Sequence, residues 1–166
     1  MDTPLTGPVV LAPTDLSQAS VEAATFAGDL AGRLGGTLVL VKVLLPREVE
    51  DGLAQGKFVD QQMDEARIYL RWWFTTFVPP DVRRTVRLHE FVAVGHPEDE
   101  IPAVAESVQA AMIVMATHAR TGLKRVLGSV AEAVLRRAPC PVMMLKEAGR
   151  TFTAARLEPV AAAKAS

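Results

Sequence analysis

Thr37-Leu-Val-Leu-Val-Lys-Val-Leu-Leu45 (TLVLVKVLL) is almost continuously apolar and rich in β-branched residues. A strand with one wet face would alternate apolar and polar positions; an unbroken apolar run suits a parallel strand buried on both faces. On its N-terminal side, Gly35-Gly36 closes a helix, as residues tolerant of positive φ commonly do. That helix starts after Ser17, a good N-cap, and carries Ala23, Ala27, Leu30 and Leu34 at helical spacing. Ahead of it, Val9–Thr14 (VVLAPT) is a short apolar strand closed by Pro13. On the C-terminal side, Val59, Met63, Ala66, Leu70, Trp73 and Phe77 form the stripe of a long amphipathic helix, stopped by Pro79-Pro80. Val86–Val94 reads as a third strand, with a turn at Gly95-His96-Pro97. A helix bearing Ile101, Val104, Ala105 and Val108 leads to a fourth strand, Met112–Ala116 (MIVMA). A last helix bearing Val130, Val134 and Leu135 leads to a fifth, Val142–Leu145 (VMML).

Five strands alternating with four helices predict an α/β fold, a five-stranded parallel sheet with helices on both faces, because right-handed crossovers place them there. The chain has 166 residues, enough for one domain with a real core. We expect that domain over residues 5–147. Residues 148–166 form an Ala-rich, weakly patterned tail that either stays mobile or docks on a partner. A net charge of −1 excludes the basic field of a dedicated nucleic-acid binder. The single cysteine, Cys140, forms no intrachain disulfide and implies no oxidising compartment. Windows free of charge and histidine, such as Ser107–Thr117, fall well short of the ~18 apolar residues of a membrane span. Asp2 and two early prolines, with no basic stretch leading into an apolar one, predict no signal peptide. The expectation is a cytoplasmic protein.

In open α/β sheets, ligands bind beyond the carboxyl ends of the strands, where the strand order reverses. Two segments fall there. Pro13-Thr14-Asp15 follows the first strand; an acid at that point accepts hydrogen bonds from ligand hydroxyls or amines, although Asp15 and Ser17 equally suit a plain helix cap. The second is the loop from Ala116 to Ser129, with three cations, His118 and a Gly128-Ser129 pair opening the final helix. Backbone N–H groups at a helix start favour an anion such as phosphate. A solvated basic loop with an ordinary cap is the plainer alternative.

Other chemistries fail. Gly52–Phe58 imitates a P-loop but has three residues between its glycines and Phe58 where a magnesium-binding hydroxyl belongs. No G-x-G-x-x-G occurs, and His89, His96, His118 and Cys140 are not at metal-ligand spacing. Cys140, between two prolines, reads as structural. Trp72 and Trp73 point in different directions on a helix; Trp73 belongs to the core stripe, and Trp72 marks a candidate interface. A phospho-receiver domain would need an aspartate at the end of strand three, which here reads Val92-Ala93-Val94-Gly95.

Taken together, the segments from about Val9 to Lys146 resemble the universal stress protein family. The opening Val9–Ser20, the strand Leu38–Val43, the turn Val94-Gly95-His96-Pro97 and above all Met112–Thr117 with Gly128–Val142 (GSVAEAVLRRAPCPV) carry the resemblance. It implies a Rossmann-like, adenine-nucleotide alpha-hydrolase-like sandwich with strand order 3-2-1-4-5 and a switch point between strands one and four. One branch of that family binds ATP through G-x2-G-x9-G-[ST] after strand four. By position, Pro13, Thr14, Asp15 and Val43 would then hold the adenine and ribose, Met115 would line the pocket, and Gly128, Ser129 and Val130 would receive phosphates. This chain departs from the pattern: Ala116 and Ala119 replace the first two glycines, and only eight residues, Arg120 to Leu127, precede Gly128. Alanine at a position needing positive φ costs on the order of 1 kcal/mol. Arg120, Lys124 and Arg125 offer charge in place of the glycine amides.

The resemblance implies a stress-response signalling protein binding ATP, ADP or AMP, with magnesium, through a degenerate loop. It further implies a homodimer through Val142–Leu145, an edge strand that needs covering. Two alternatives remain open: slow ATP hydrolysis in the same crevice, and a dimer that binds no nucleotide and acts through protein partners. Catalysis has little to work with, since Asp15 is the one obvious acid at the strand ends and His118 the one nearby base.

Overall fold

In the computed structural model of the chain, residues 5–117 and 128–146 are described. The elements run β1 (Val9–Pro13), α1 (Gln18–Arg33), β2 (Thr37–Leu44), α2 (Pro46–Ala54), α3 (Val59–Phe77), α4 (Pro80–Thr85), β3 (Arg87–Val94), α5 (Pro97–Ser107), β4 (Met112–Thr117), α6 (Ser129–Arg137) and β5 (Val142–Lys146). The strands form one parallel sheet in the order β3-β2-β1-β4-β5. The Ala-rich tail lies outside the described residues. Among the described residues, no helix is long and apolar enough to cross a membrane.

The unbroken apolar runs serve both faces, as their composition requires. Val10, Ala12, Leu38, Leu40 and Leu44 point into the core shared with α1 and α3, while Val9, Leu11, Val39, Val41 and Val43 point into the core under α5 and α6. A strand turns successive side chains to opposite faces, so each strand needs apolar residues at every position. Helix α1 presents buried Ala23, Ala24, Ala27, Gly28 and Ala31, small residues that let it lie close to the sheet.

Three expectations need correction. The β2–β3 connection holds three helices rather than one, because prolines at the first helical position start α2 and α4 as well as ending what precedes them. The α3 stripe is also shorter than its periodicity: Leu70 and Trp73 are buried together with Phe74, but Val59 and Phe77 are exposed. A 19-residue helix spans about 28 Å, and its buried side chains gather in its C-terminal half. Leu34 and Leu135, each expected on a buried face, are likewise exposed near helix C-termini. Trp73 and Trp72 divide as expected. Trp73 is core, whereas Trp72 stands outside, stacked on Tyr69 at 5.1 Å and edge-on to Phe77 at 6.0 Å.

Gly35 and Gly36 follow α1 for different reasons. Gly35 takes φ +63, the left-handed conformation that ends the helix. Gly36 instead lies against β1, where an added Cβ would sit 2.0 Å from the Pro8 carbonyl oxygen, the acceptor for Thr37 N–H at the start of the β1–β2 ladder. Gly36→Ala is therefore expected to destabilise by about 2 kcal/mol, since backbone must move. Gly35→Ala is expected to cost about 1 kcal/mol. Urea midpoints followed by circular dichroism rank the two, and a Gly36→Ala midpoint at the wild-type value would show that the Pro8 carbonyl yields freely.

Candidate functional site

At the carboxyl end of β1 the chain leaves the sheet through a tightly bonded turn. Thr14 N–H donates to the Val41 carbonyl at 2.8 Å, extending the pairing with β2 by one residue. The Thr14 hydroxyl accepts from Leu16 N–H at 2.9 Å, and Asp15 Oδ1 accepts from Ser17 N–H at 3.0 Å. These two short side-chain turns hold Leu16 at φ +68, a conformation a leucine rarely takes. Ser17 caps α1, its hydroxyl accepting from Ser20 N–H, while Ser20 Oγ donates to Asp15 Oδ1 at 2.5 Å. The capping role of Ser17 and the placement of Asp15 at the cleft thus coexist: the carboxylate is oriented from below by Ser20 and remains exposed above.

Beyond this turn lies a cavity of about 400 Å³, within the roughly 300–1,000 Å³ of small-molecule sites. Pro13, Thr14 and Asp15 form one side, Val43 and Met115 the buried apolar floor, and Ala116, Gly128, Ser129 and Val130 the far side. Every sequence-predicted site residue within the described segments is brought to this one cavity. Ala119 and Arg120 lie outside the described residues, as do Lys124 and Arg125.

Helix α6 opens toward the cavity with Gly128 as its N-cap and no side chain capping it. The first N–H groups of a helix have no partner within it. They present partial positive charge to the space beyond β4.

The sequence reading missed Ser20, Lys42, Leu45, Glu48, Pro97 and Ile101, all of which line the cavity. Lys42 Nζ donates to the Val43 carbonyl at 2.8 Å and lies 3.7 Å from Glu48 Oε2. Glu48 in turn accepts from Leu45 N–H at 2.7 Å, tying the start of α2 to the end of β2. A signal for Lys42 was available: one cation inside an otherwise apolar strand must reach solvent, and the open carboxyl end is where it does. Glu48 carried no such mark, because it enters the cavity through the unanticipated helix α2.

The described lining therefore carries carboxylates at Asp15 and Glu48, one ammonium at Lys42 and a helix N-terminus opposite. Carboxylates accept from hydroxyls, and helix amides donate to an anion; an apolar floor between them suits a flat ring. A nucleoside phosphate fits this arrangement. Among the described residues, no group of three His, Cys, Asp or Glu side chains gathers to hold a metal ion. Cys140 is half-buried against the core under α5 and α6. Burial pushes its thiol up, with the Ile113 backbone hydrogen bond acting the other way, which disfavours the reactive thiolate.

Comparisons with known proteins agree on one family. The family model described as the universal stress protein family matches residues 8–146. Universal stress protein MJ0531 of Methanocaldococcus jannaschii is 46% identical over 63 residues, which is 37% of this chain and 37% of that relative. The alignment thus spans little more than a third of the relative's length. The solved structure of MJ0577 from the same organism superposes with a TM-score of 0.66 at 25% identity, covering 86% of this chain and 98% of that one. A universal stress protein of Archaeoglobus fulgidus, solved in complex with dAMP, superposes with a TM-score of 0.58 at 24% identity, covering 84% and 97%.

Proposed function

The chain belongs to the universal stress protein family, and from that premise we propose that its cleft binds an adenine nucleotide and that the protein acts in stress signalling through the bound state. The observation that carries this reading is the cavity at the strand-order reversal, with an apolar floor, carboxylate acceptors on one side and an uncapped helix N-terminus on the other. The complex of a structural neighbour with dAMP supports an adenine nucleotide. The ribose would lie toward Asp15 and Glu48, since carboxylates repel phosphates and accept from hydroxyls, and the phosphates toward Gly128, Ser129 and Val130. Pro13 and Thr14 would border the nucleoside, Val43 and Met115 its base. We further propose a cytoplasmic location and a homodimer through Val142–Leu145. Strand β5 stands at one end of the strand order, and edge strands are commonly covered by pairing.

Calorimetric titration of nucleotide-free protein with AMP, ADP and ATP, with and without magnesium, tests the reading. Micromolar binding is expected. Asp15→Ala should weaken it about tenfold, the worth of one charge-assisted hydrogen bond. Asp15→Asn, which keeps an oxygen for Ser17 N–H, separates loss of the turn from loss of the charge. Absence of heat at millimolar nucleotide would overturn the proposal and direct the search to protein partners.

A further inference from the structure

A second concavity, of about 450 Å³, lies between the C-terminal half of α3, helix α4 and the start of β3. Its strand residue, Leu88, pairs with Leu38 near the amino end of the sheet. Six residue steps along the strand take it to Val94, roughly 20 Å at about 3.3 Å per residue, so it is remote from the nucleotide cleft. Three arginines line it: Arg71, Arg83 and Arg84.

Arg71 grips Glu90 in a fork, Nε to Oε1 at 2.6 Å and Nη2 to Oε2 at 2.9 Å, and Glu90 is nearly buried beneath it. That pair is self-contained, yet Nη1 of Arg71 makes no hydrogen bond among the described residues. Arg83 differs. It is half-buried, and its Nε is buried without a hydrogen-bond partner, the one such side-chain atom among the described residues. Buried donors are nearly always satisfied in native proteins, and leaving one unmade is costly. Neither Arg83 nor Arg84 enters an ion pair among the described residues, although Asp81 sits on the same short helix. Both arginines fall in the last turn of α4, where cations suit the carbonyl end of a helix. That preference explains charge near the helix end; it does not explain a buried Nε pointing at nothing. With Glu90 committed to Arg71, two guanidinium charges beside a concave surface have no ion-pair partner among the described residues.

We propose that this pocket is an oxyanion site taking a phosphate group, free or carried on a phosphorylated side chain, with Arg83 and Arg84 as its charged ligands and Arg71 as the third donor. Guanidinium forks match phosphate oxygens, and a dianion matches these two charges. Arg83 Nε is closed to solvent as the side chain stands, so the ligand engages it only once the guanidinium swings into the concavity.

The test follows arginine Nε–H resonances of the full-length, nitrogen-15-labelled protein during titration with sodium phosphate, with sodium chloride at equal ionic strength as the reference. The Arg83 resonance should move saturably at millimolar phosphate and hold still in chloride. Arg83→Gln should remove the phosphate response at Arg71 and Arg84, whereas Asp15→Asn, altering only the nucleotide cleft, should leave it intact. Should Arg83→Gln fold poorly, Arg84→Gln, at an exposed position, is expected to weaken phosphate binding at least fivefold. Tighter binding of O-phosphoserine than of inorganic phosphate assigns the site to a phosphorylated side chain; equal or weaker binding assigns it to free phosphate. A linear response that chloride reproduces, or one that survives both arginine substitutions, overturns the proposal.

Discussion

Trp73→Ala is expected to lower the free energy of unfolding by about 4 kcal/mol, and Trp72→Ala by less than about 1 kcal/mol. The residues are neighbours in sequence with identical side chains, so the difference isolates burial. Trp73 is 2% exposed within the core between α1, α3 and the sheet, among Leu70, Phe74, Leu38 and Leu40. Truncating it removes the largest fully buried side chain and leaves a cavity that a close-packed interior closes only in part. Trp72 is 49% exposed and touches only Tyr69 and Phe77 among aromatic rings. Against a total stability of about 5–15 kcal/mol, the first loss removes a large share of the folded population. Urea unfolding should be followed by far-ultraviolet circular dichroism, because each variant loses a fluorophore. Equal losses for the two variants would mean that the outer face of α3 is covered in solution, and would turn the aromatic cluster into an interface.

The same helix shows how far periodicity reads. The 4,3,4,3,4 spacing correctly marks α3 and its inward face at Leu70 and Trp73. Spacing carries no information on how wide the sheet beneath a helix is, so Val59 and Phe77 looked buried and are not. The apolar runs VVLAP and TLVLVKVL gave the strands and their parallel arrangement, because only burial on both faces demands apolar residues at consecutive positions. Helices α2 and α4 were missed because proline reads as a stop, although at the first turn of a helix it is a start.

The cleft was legible where chain position alone determines it. Strand ends β1, β2 and β4 and the start of α6 must converge at the reversal of strand order, and Pro13, Thr14, Asp15, Val43, Met115 and Gly128 do so. Lys42, Glu48 and Ser20 depend on side-chain reach across elements, which no linear spacing encodes. The Ser20–Asp15 bond at 2.5 Å is such a case: its partners are five residues apart and lie on a turn and a helix.

The largest functional effect is expected at Gly128. Its backbone, at φ −60 and ψ 151, is one any L-residue adopts, and an added Cβ would meet no atom of the described residues within 4 Å. The described fold therefore does not require glycine here. Gly128→Val should fold normally, losing about 1 kcal/mol for a poorer N-cap. A phosphate docked on α6, however, must approach the first-turn N–H groups through the space the valine would fill. Losing two charge-assisted hydrogen bonds amounts to about 3 kcal/mol, a fall in ATP affinity of about 100-fold. Adenosine, which has no phosphate to place there, should bind the variant and the wild type alike. Gly128→Ser sharpens the contrast, because serine is a good N-cap whose hydroxyl occupies the same amides. It should hold or raise the melting temperature while weakening ATP, so that stability and affinity move in opposite directions. Calorimetry paired with thermal unfolding on the two variants reads both quantities. Unchanged ATP affinity in Gly128→Val would remove the phosphates from α6 and leave Arg120, Lys124 and Arg125, which lie outside the described residues, as the groups that must hold them.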